Sequence, residues 1–430
     1  MDEQMKESGI NWVKKIPVDW NISRMQMLFE QIKCRNWGIK ETNLLSLSYG
    51  KIVTRDIESS LGLIPESYDT YNVVQRNDIV LRLTDMQNDQ TSLRTGIVEE
   101  RQGIITSAYV TIRARNACSS FYHWYLYAFD TTKQIYAFGQ GVRQNLTFEE
   151  LKKMLVPVPP IIEQQAIADF LDRECAQIDS IVADLEKQIE LLQQYKKSLI
   201  TETVTKGLDK SVPMKDSGIE WIGKIPEHWI STRIKYNVST IGSGTTPDSG
   251  NALYYENGTY PWIQSGDLYD TDYITCTEKQ LTDSAIADCK SLNWYTKDFV
   301  VVAMYGASIG NVSISKVDAY TNQACCAMKL KKDRDSRYLY YFLIAARDEM
   351  LLKAFGGTQP NVSQIILKNL SYLRIPVGEE VKICDFLDKK CEIINDLLNS
   401  KEKQLETIQS HKKSLIYEYV TGKKRIKEAK

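Results

Sequence analysis

Residues 5–24 read MKESGINWVKKIPVDWNISR, and residues 214–233 read MKDSGIEWIGKIPEHWISTR. Eleven of the twenty aligned positions are identical, and the shared residues include two tryptophans and a proline. Residues as rare as tryptophan and proline seldom coincide by chance at this density. We therefore interpret the peptide as one copy of an internal duplication, which is the first feature to establish in any chain of this length.

Two further segments repeat in the same order. DFLDREC at 169–175 returns as DFLDKKC at 385–391. KKSLITETVT at 196–205 returns as KKSLIYEYVT at 412–421, with eight of ten positions identical. The repeated unit is thus a short peptide, then about 130 residues of mixed structure, then a helix. A weaker pair is FYHWYLYAF at 121–129 and RYLYYFLIA at 337–345, which biased composition alone could explain. The middle portions differ far more than the flanks, which indicates two related tasks on two different targets.

Each copy ends in a predicted helix with an apolar stripe at seven-residue spacing. The first is predicted from VPPIIEQQ, where Pro159 and Pro160 suit a first turn, to Gly207. Its stripe consists of Leu171, Ile178, Leu185, Leu192 and Leu199, with Cys175, Val182 and Ile189 four residues further on in each heptad. The second, from about Glu379 to Gly422, has Leu387, Ile394, Ile408 and Leu415, interrupted by Lys401 and accompanied by Cys391, Leu398 and Leu405.

Such stripes are typical of coiled-coil seams. Each helix would extend about 60 Å at 1.5 Å per residue. Two matching seams in one chain favour pairing with each other, and units related by a two-fold axis would make them antiparallel. The same symmetry predicts that residues 5–24 lie beside the end of the second helix, near Val420 and Gly422. The alternative is that each helix packs separately on its own globular domain.

Composition excludes several classes of protein. The chain has 430 residues, which predicts two or more domains. Its net charge of −1 argues against a polybasic, histone-like protein but leaves room for a locally basic face. No apolar run reaches the ~18 residues of a membrane span, and the N-terminus does not resemble a secretory signal. Nine cysteines without a CxxC pair predict free thiols in a cytoplasmic protein, and adjacent Cys325 and Cys326 favour buried packing.

The segments between the repeats are predicted to be α+β. Strands are expected over 78–85, 103–114 and 299–304, and a short aromatic helix over 121–129, capped by Ser119 or Ser120. Polar loops rich in amides and hydroxyls lie at 85–94, 139–145, 242–247, 262–268, 320–324 and 356–361. Such side chains read base edges and phosphates, although polar loops are also common in proteins that bind no nucleic acid.

Motifs for catalysis are missing from the sequence. No GxxxxGK[ST], GxGxxG after a strand, HExxH or Asn-Pro-Pro-Tyr motif occurs. Of the three histidines, His123 lies in the aromatic helix and is interpreted as packing, while His228 and His411 align with Asp19 and Tyr195 in the other copy. This uneven pairing disfavours a shared chemical role, so the chain is predicted to be a reader and not a catalyst.

In combination, GIEWIGKIPEHW at 218–229, VPPIIEQQAIADFLD at 158–172 and KKSLITETVTKG resemble the conserved regions of type I restriction–modification specificity subunits. The resemblance covers the whole chain, twice and in order. It implies an α+β fold with two globular target-recognition domains in a pseudo-two-fold arrangement, joined by two long antiparallel coiled-coil helices. The implied domains are 1–160 with the peptide 5–24, the helix 161–207, the linker peptide and second domain 208–378, and the helix with basic tail 379–430.

Two departures from the family pattern stand out. Lys14 and Asp19 replace the glycine and histidine of the second peptide, Gly223 and His228. The second helix start, IPVGEEVKICDFLD, is interpreted as lacking the Pro-Pro and Glu-Gln of the first and as three residues shorter. Both departures weaken the symmetry without changing the assignment.

The resemblance implies that each recognition domain reads one half of a split DNA site. Two adenine methyltransferase subunits would dock on the helices, and motor-nuclease restriction subunits would join them. S-adenosylmethionine, ATP and Mg²⁺ are expected in those partners and no cofactor or metal in this chain. Predicted DNA contacts are Arg82, Thr84, Gln87, Asn88, Arg94, Arg143 and Asn145 in the first half, and Ser243, Thr245, Thr246, Gln264, Tyr305, Ser308, Asn322, Gln359 and Asn361 in the second. Gly242 and Gly244 could serve DNA approach or simply a tight turn.

Two other functions remain open at this point. The chain could serve a methyltransferase fused to a nuclease, without a separate motor. It could also be a coiled-coil scaffold that never contacts DNA, although a scaffold does not need two divergent globular inserts. A stand-alone repressor is disfavoured because no helix-turn-helix is evident.

Overall fold

The structure, a computed structural model, describes residues 4–38, 40–55, 68–84, 93–99, 101–137, 146–269, 271–306, 308–354 and 361–426. The chain folds into two compact units. The first comprises residues 1–186 and 403–430, and the second comprises residues 187–402. Each unit therefore contains the first part of one long helix and the last part of the other.

The first unit combines small sheets with one aromatic helix. Its strands are β1 (Met5–Glu7), β2 (Lys15–Pro17), β3 (Asn21–Arg24), β4 (Phe29–Ile32), β5 (Leu44–Ser48), β6 (Lys51–Arg55), β7 (Asn72–Val74), β8 (Ile79–Leu81), β9 (Thr95–Ile97), β10 (Gly103–Ile105), β11 (Val110–Ala114) and β12 (Leu155–Val158). Its helices are α1 (Met25–Leu28), α2 (Ser119–Thr131), a 3₁₀ turn (Gln134–Ala137), α3 (Phe148–Leu151) and α4 (Ile161–Lys206), which continues into the second unit. Two four-stranded sheets have the orders β6-β5-β10-β7 and β4-β11-β8-β9.

The second unit has the same kinds of element. Its strands are β13 (Met214–Asp216), β14 (Lys224–Pro226), β15 (Ile230–Arg233), β16 (Val238–Ser243), β17 (Tyr260–Ile263), β18 (Tyr273–Ile274), β19 (Lys279–Leu281), β20 (Phe299–Ala303), β21 (Val312–Ser315), β22 (Tyr320–Thr321), β23 (Cys325–Leu330) and β24 (Ser371–Arg374). Its helices are α5 (Asp283–Asp288), α6 (Ser336–Ala345), α7 (Arg347–Leu352), α8 (Gln364–Asn369) and α9 (Val377–Val420), with 3₁₀ turns at Ile234–Tyr236, Ala252–Tyr254 and Ser265–Leu268. The main sheet has the order β16-β23-β20-β21-β18, beside a smaller sheet β19-β17-β22.

The duplication seen in the sequence is also present in the strand pairing. Hairpin β1–β2 pairs Met5 with Pro17, and hairpin β13–β14 pairs the corresponding Met214 with Pro226. Strand β12 pairs antiparallel with β3, as β24 does with β15. These matched elements precede the long helix in each copy. The α+β prediction is confirmed.

The long helices begin and end close to their predicted positions. Helix α4 ends one residue before Gly207, whose φ of +73° is the left-handed conformation of a glycine C-cap. Helix α9 starts at Val377, two residues before the predicted start. The interpretation of this start as three residues shorter is wrong, whereas Ile375 and Glu380 do replace the first proline of the Pro-Pro pair and the glutamine of the Glu-Gln pair. Counted back from the DFLD motif, Pro376 and Glu379 stand where Pro160 and Glu163 stand in α4.

Within each unit, the two helix segments run antiparallel. In the first unit, the Phe170 ring lies 4.6 Å from that of Tyr419, and nine residues later Asp179 forms an ion pair with Lys412. In the second unit, Lys196 donates a 2.9 Å hydrogen bond to Asn395. The predicted stripe is buried at Leu171, Cys175, Ile178 and Leu185 in α4, and at Leu387, Cys391 and Ile394 in α9. Apolar burial at this spacing supports the predicted seam.

The aromatic helices dock on the long helices through matched carboxylates. The Trp124 indole of α2 donates to Asp172 at 2.7 Å, and the Tyr341 hydroxyl of α6 donates to Asp388 at 2.6 Å. These are the last residues of the two DFLD motifs. The predicted serine cap of α2 is wrong. The N-cap is Cys118, whose backbone N–H donates to the Gln164 side chain on α4.

Each repeated peptide is fixed to a long helix by one buried tryptophan. Trp20 donates from Nε1 to Glu163 at 3.0 Å, and Trp229 donates to Glu379 at 2.9 Å. Arg425 adds bonds of 2.8 and 2.7 Å to Glu163 and also binds Asp19. We call Asp19, Trp20, Glu163 and Arg425 the first anchor. We call His228, Trp229 and Glu379 the second anchor. In it, His228 Nε2 lies 2.7 Å from Glu379 Oε1.

The predicted position of residues 5–24 is confirmed. Tyr417 donates to the Trp12 carbonyl at 3.1 Å. A Cβ added to Gly422 would lie 2.4 Å from Pro17 and 3.0 Å from Trp20, so only glycine allows this approach. In the other copy, a Cβ added to Gly207 would lie 3.2 Å from Trp229. The first and last segments of the chain therefore meet within the first unit.

Candidate nucleic-acid interface

Several loops of the second unit leave the sheets at one edge. Strand β16 ends at Ser243, opposite Cys326 of β23, and β20 ends at Ala303, opposite Cys325. Strands β17 and β22 run parallel and end side by side at Ile263 and Thr321. Because these ends are neighbours, the segments that follow them are brought together. We call residues 243–247, 264–268, 304–306 with 308, 322–324 and 361–364 the second loop edge.

Hydrogen bonds hold the second loop edge in one arrangement. The Asn322 N–H donates to the Ile263 carbonyl at 3.0 Å, and the Met304 N–H donates to the Ala324 carbonyl at 2.7 Å. The Gly244 N–H donates to the Thr321 hydroxyl at 3.1 Å. A Cβ at Gly244 would lie 1.8 Å from the Thr321 carbonyl oxygen. Gly244 is therefore required for the close approach of two loops, whereas Gly242 faces only the Tyr295 hydroxyl at 3.0 Å.

The structure brings together the described residues predicted to bind DNA in this unit. Thr245, Thr246, Gln264 and Tyr305 are half-buried, and Asn361 is exposed. Ser243 accepts a hydrogen bond from Gln364, a neighbour that the sequence did not single out. Gln359 lies outside the described residues.

Two of the predicted residues lie under the surface. Ser308 and Asn322 are both 7% exposed. The Asn322 side chain accepts from the Ala324 N–H at 3.0 Å, which stabilises the turn that carries Gln323. In this conformation both residues shape the loops, and their contact with DNA stays a prediction.

Gln323 is a functional candidate that sequence reasoning missed. It is exposed, accepts a hydrogen bond from the Thr246 hydroxyl and contacts the Tyr305 hydroxyl. Its position in the polar loop YTNQA was visible in the sequence, but the partnership with two other loops was not. Three loops thus present one connected set of amide and hydroxyl groups.

In the first unit, the structure describes the chain on either side of residues 85–92, which form most of the predicted polar loop 85–94. Arg94 is fully buried, and its guanidinium donates to the carbonyls of Arg82 and Thr84 at 3.2 and 3.0 Å. Its backbone N–H donates to Asp130 at 2.7 Å. Arg94, at the end of the predicted polar loop 85–94, therefore binds the chain that leads into that loop. Thr84 is exposed and Arg82 half-buried. Gln87, Asn88, Arg143 and Asn145 lie outside the described residues.

In each unit, an equivalent backbone hydrogen bond joins a residue that follows one loop to a residue that precedes another. In the first unit, the Leu146 N–H donates to the Leu83 carbonyl at 2.9 Å. In the second, the Val362 N–H donates to the Met304 carbonyl at 2.8 Å. Leu146 and Val362 each follow one polar loop, while Leu83 and Met304 each precede another. The frame thus brings together the residues that lead into one loop and out of another in each copy.

The electrostatics of the second loop edge favour hydrogen bonding over catalysis. Desolvation, aided by Cys325, raises the pKa of Tyr305, so its hydroxyl remains a donor at neutral pH. Burial raises the pKa of the Cys326 thiol to about 12, and both adjacent cysteines are fully buried free thiols, as predicted. Among the described residues, no group of three or more His, Cys, Asp or Glu side chains could hold a metal ion.

Comparison with known proteins identifies the family. The model of the type I restriction modification DNA specificity domain matches residues 17–191 and 226–407, well over half of the chain. The chain belongs to this family. It is a DNA specificity subunit of a type I restriction–modification system, and the two matches coincide with its two copies.

Relatives of the specificity subunit are similar over much of their length. The type I restriction enzyme MjaVIII specificity subunit of Methanocaldococcus jannaschii is 24% identical over 96% of this chain and 95% of its own. The EcoR124I/EcoR124II specificity subunit of Escherichia coli is 24% identical over 69% of this chain and 68% of its own.

A solved structure shares the fold. A chain from a study of complex assembly and conformational transition of the type I R-M system has a TM-score of 0.70 at 14% identity, covering 94% of this chain and 98% of that one. Within the described part of the specificity subunit, no helix is both long and apolar enough to cross a membrane.

Proposed function

We propose that this specificity subunit binds double-stranded DNA at a target of two specific parts separated by unspecified bases. The first unit would read one part and the second unit the other. The bound subunit would present the target to adenine methyltransferase subunits and, in the complete complex, to restriction subunits. It would supply the DNA sequence specificity and carry out no chemistry.

The convergence of polar groups at the second loop edge is the observation that supports this proposal best. Thr246, Gln264, Gln323 and Asn361 come from four separate segments, yet they lie on one edge. Amide and hydroxyl side chains form hydrogen bonds with base edges, and Asn or Gln can make paired hydrogen bonds with adenine. An edge of uncharged polar groups on a fixed frame is therefore suited to distinguishing sequences.

The equivalence of the loop bases supports one reader in each unit. The bonds from Leu146 to Leu83 and from Val362 to Met304 join equivalent flanking residues of loops that differ in sequence. A common frame with different loops would give two readers of different sequences. This arrangement predicts that a change at one loop edge alters one part of the target and leaves the other unchanged.

The chemistry would belong to partner subunits. The N6 atom of adenine is reached only when the base leaves the stack, and a methyltransferase subunit would hold that base with S-adenosylmethionine. We propose two such subunits for each specificity subunit, with ATP and Mg²⁺ used by the restriction subunits. Purified alone, the specificity subunit is expected neither to methylate nor to cleave DNA.

The near-neutral charge of the chain bears on affinity. With 54 basic and 55 acidic residues, the subunit has little excess charge to neutralise phosphates. Phosphate contacts supply most non-specific affinity and make it fall with salt. The partners would therefore contribute much of the affinity, and the complex should show a steeper salt dependence than the isolated subunit.

Binding by the complex with the methyltransferase tests the proposal. Methylated adenines are first mapped in cells that carry both proteins, and a duplex with the resulting target is then titrated by fluorescence anisotropy. Thr246→Ala and Asn361→Ala should each weaken binding by about 1–3 kcal/mol, since each removes a base contact. Thr232→Ala is the matched control, because Thr232 is a half-buried threonine on β15 of the same unit. Unchanged affinity for both edge variants, or equal loss for the control, would contradict the proposal.

A further inference from the structure

The turn of the β5–β6 hairpin contains a tyrosine in an unfavourable backbone conformation. Ser48 pairs with Lys51, which leaves Tyr49 and Gly50 as a two-residue turn. Their φ angles are +47° and +79°. Glycine adopts this left-handed region freely, and asparagine is the usual first residue of such a turn. A tyrosine there is uncommon, and outliers of this kind cluster at functional sites.

Packing fixes this turn against the segment 93–97. A Cβ added to Gly50 would lie 2.9 Å from Leu93 Cδ1. Leu93 directly precedes Arg94, and the two are the last residues of the predicted polar loop 85–94. On β9, a Cβ added to Gly96 would lie 2.7 Å from Leu47 Cδ1 of β5. The absence of side chains at both glycines lets the hairpin pack directly against the chain that leads out of the loop.

The Tyr49 ring is held in solvent at this position. It is 86% exposed, the highest value among the exposed large apolar side chains of the described residues. The sequence from 44 to 55 contains Lys51 and Arg55 and no acidic residue. Both basic side chains are exposed on β6, an edge strand, and the Lys51 ammonium lies 3.8 Å from the Asp179 carboxylate of α4. A strained, exposed ring next to exposed basic side chains is suited to a partner that offers flat aromatic faces and phosphates.

We propose that Tyr49 is a DNA-contacting residue of the first unit, whose ring stacks against a base at the first part of the target. This inference rests on the proposed function and adds a residue to it. Removal of the target adenine from the stack exposes the faces of neighbouring bases. An aromatic ring at the tip of a hairpin could cover such a face, as apolar wedges do in proteins that unstack DNA. Lys51 would contact a phosphate beside it.

The replacement of Tyr49 by asparagine separates this role from a purely structural one. Asparagine favours the left-handed turn, so Tyr49→Asn should keep or raise the melting temperature of the subunit. If the ring stacks on a base, the same variant should weaken binding of the target duplex by about ten-fold or more. The slope of log affinity against log salt should stay unchanged, because no charge is lost.

Three further variants complete the experiment, all measured as the complex with the methyltransferase. Tyr49→Phe retains the ring and should bind like the wild type. Lys51→Ala should lower the salt slope. Tyr236→Asn removes an exposed tyrosine elsewhere, in the second unit, and should leave binding unchanged.

Wild-type affinity of Tyr49→Asn, with Thr246→Ala weakened as expected, would overturn this inference and leave the proposed function standing. Equal loss of affinity for Tyr49→Asn and Tyr49→Phe would also overturn it, because the aromatic face would then be irrelevant. No binding of the mapped target by the wild-type complex would overturn both.

Discussion

The first and second anchors make the same indole–carboxylate hydrogen bond but differ in how the chain reaches it. In the second anchor, Trp229 follows the end of α4 by a continuous stretch of 23 residues from Lys206. In the first anchor, Trp20 meets the end of α9 although the two lie at opposite ends of the sequence. One junction is therefore covalent and the other is held by contacts alone.

This difference explains the presence of Arg425. The guanidinium bridges Glu163 of α4 and Asp19 of the N-terminal peptide, and it comes from the residues that follow α9. In the second anchor, His228 occupies the position of Asp19 and contacts Glu379 directly. The comparison indicates that side-chain contacts replace the missing peptide connection. Contact between residues 5–24 and the residues at the end of α9 is therefore part of the fold.

The largest effect is expected from removing the tryptophans. Trp20→Ala and Trp229→Ala each delete a fully buried indole and should each cost about 3–5 kcal/mol of local stability. The consequences should differ, because residues 214–228 follow the end of α4 directly along the chain, whereas residues 5–19 meet the end of α9 through contacts alone. Hydrogen exchange should show complete loss of protection in hairpin β1–β2 for Trp20→Ala and partial protection in β13–β14 for Trp229→Ala. Equal loss in both hairpins would contradict the comparison.

A somewhat smaller effect is expected from Arg425→Ala. Removing one partner of a buried ion pair typically costs 3–5 kcal/mol, and the partial exposure of Arg425 places it near or below about 3 kcal/mol. Glu163, with only 5% of its side chain exposed, would keep just the indole N–H. The matched control is Lys424→Ala, whose solvent-screened surface pair with Glu418 should contribute little to stability. Chemical unfolding of the two variants measures the difference, and similar losses would show that the first anchor needs no arginine.

The smallest expected effect is a dependence of stability on pH that His123 gives to the first unit and that the second unit lacks at the corresponding position. Burial, aided by Lys412, lowers the pKa of His123 to about 4 from its ordinary 6.5. The unfolded chain thus binds a proton below pH 6.5 while the folded chain does not, so stability is full above pH 6.5 and declines as the pH falls towards 4. About 2 kcal/mol should be lost between pH 6.5 and 5.

Leu339 occupies the corresponding position of α6 in the second unit and cannot titrate. His123→Leu should therefore remove this part of the pH dependence of the first unit. Denaturant titrations at several pH values, monitored by hydrogen exchange in α2 and α6, test the prediction. An unchanged pH profile in His123→Leu would assign the acid sensitivity to other groups.

Much of the frame could be predicted from the sequence. Heptad spacing and the Pro and Gly at the helix ends determine α4 and α9, because these signals are local. The meeting of residues 5–24 with the end of α9 followed from the duplication alone. The hairpins β1–β2 and β13–β14 were not predicted, since three-residue strands show no alternating pattern. The equivalence of Glu379 with Glu163 was not predicted, because the residues around it, VGEEVK and IIEQQA, share little sequence.

The candidate site was less accessible to sequence reasoning. Loop composition indicated the polar segments, and the structure brings those of the second unit together. Which side chains face outward depends on packing that no local pattern encodes. Arg94, for example, is an arginine in a polar loop, yet its guanidinium binds backbone carbonyls inside the first unit. Gln323 became visible only through its contacts with Thr246 and Tyr305.

The central prediction is that each unit recognises one part of the DNA target. Its most direct test is a map of methylated adenines for three forms of the subunit, each expressed with its methyltransferase. These are the wild type, the second-unit variant Thr246→Ala with Gln323→Ala, and the first-unit variant Arg82→Ala with Thr84→Ala. We expect the wild type to give a target of two specific parts with unspecified bases between them. Each variant should relax the bases of one part only, and the two variants should affect opposite parts. A continuous target, or relaxation of both parts by either variant, would contradict the account.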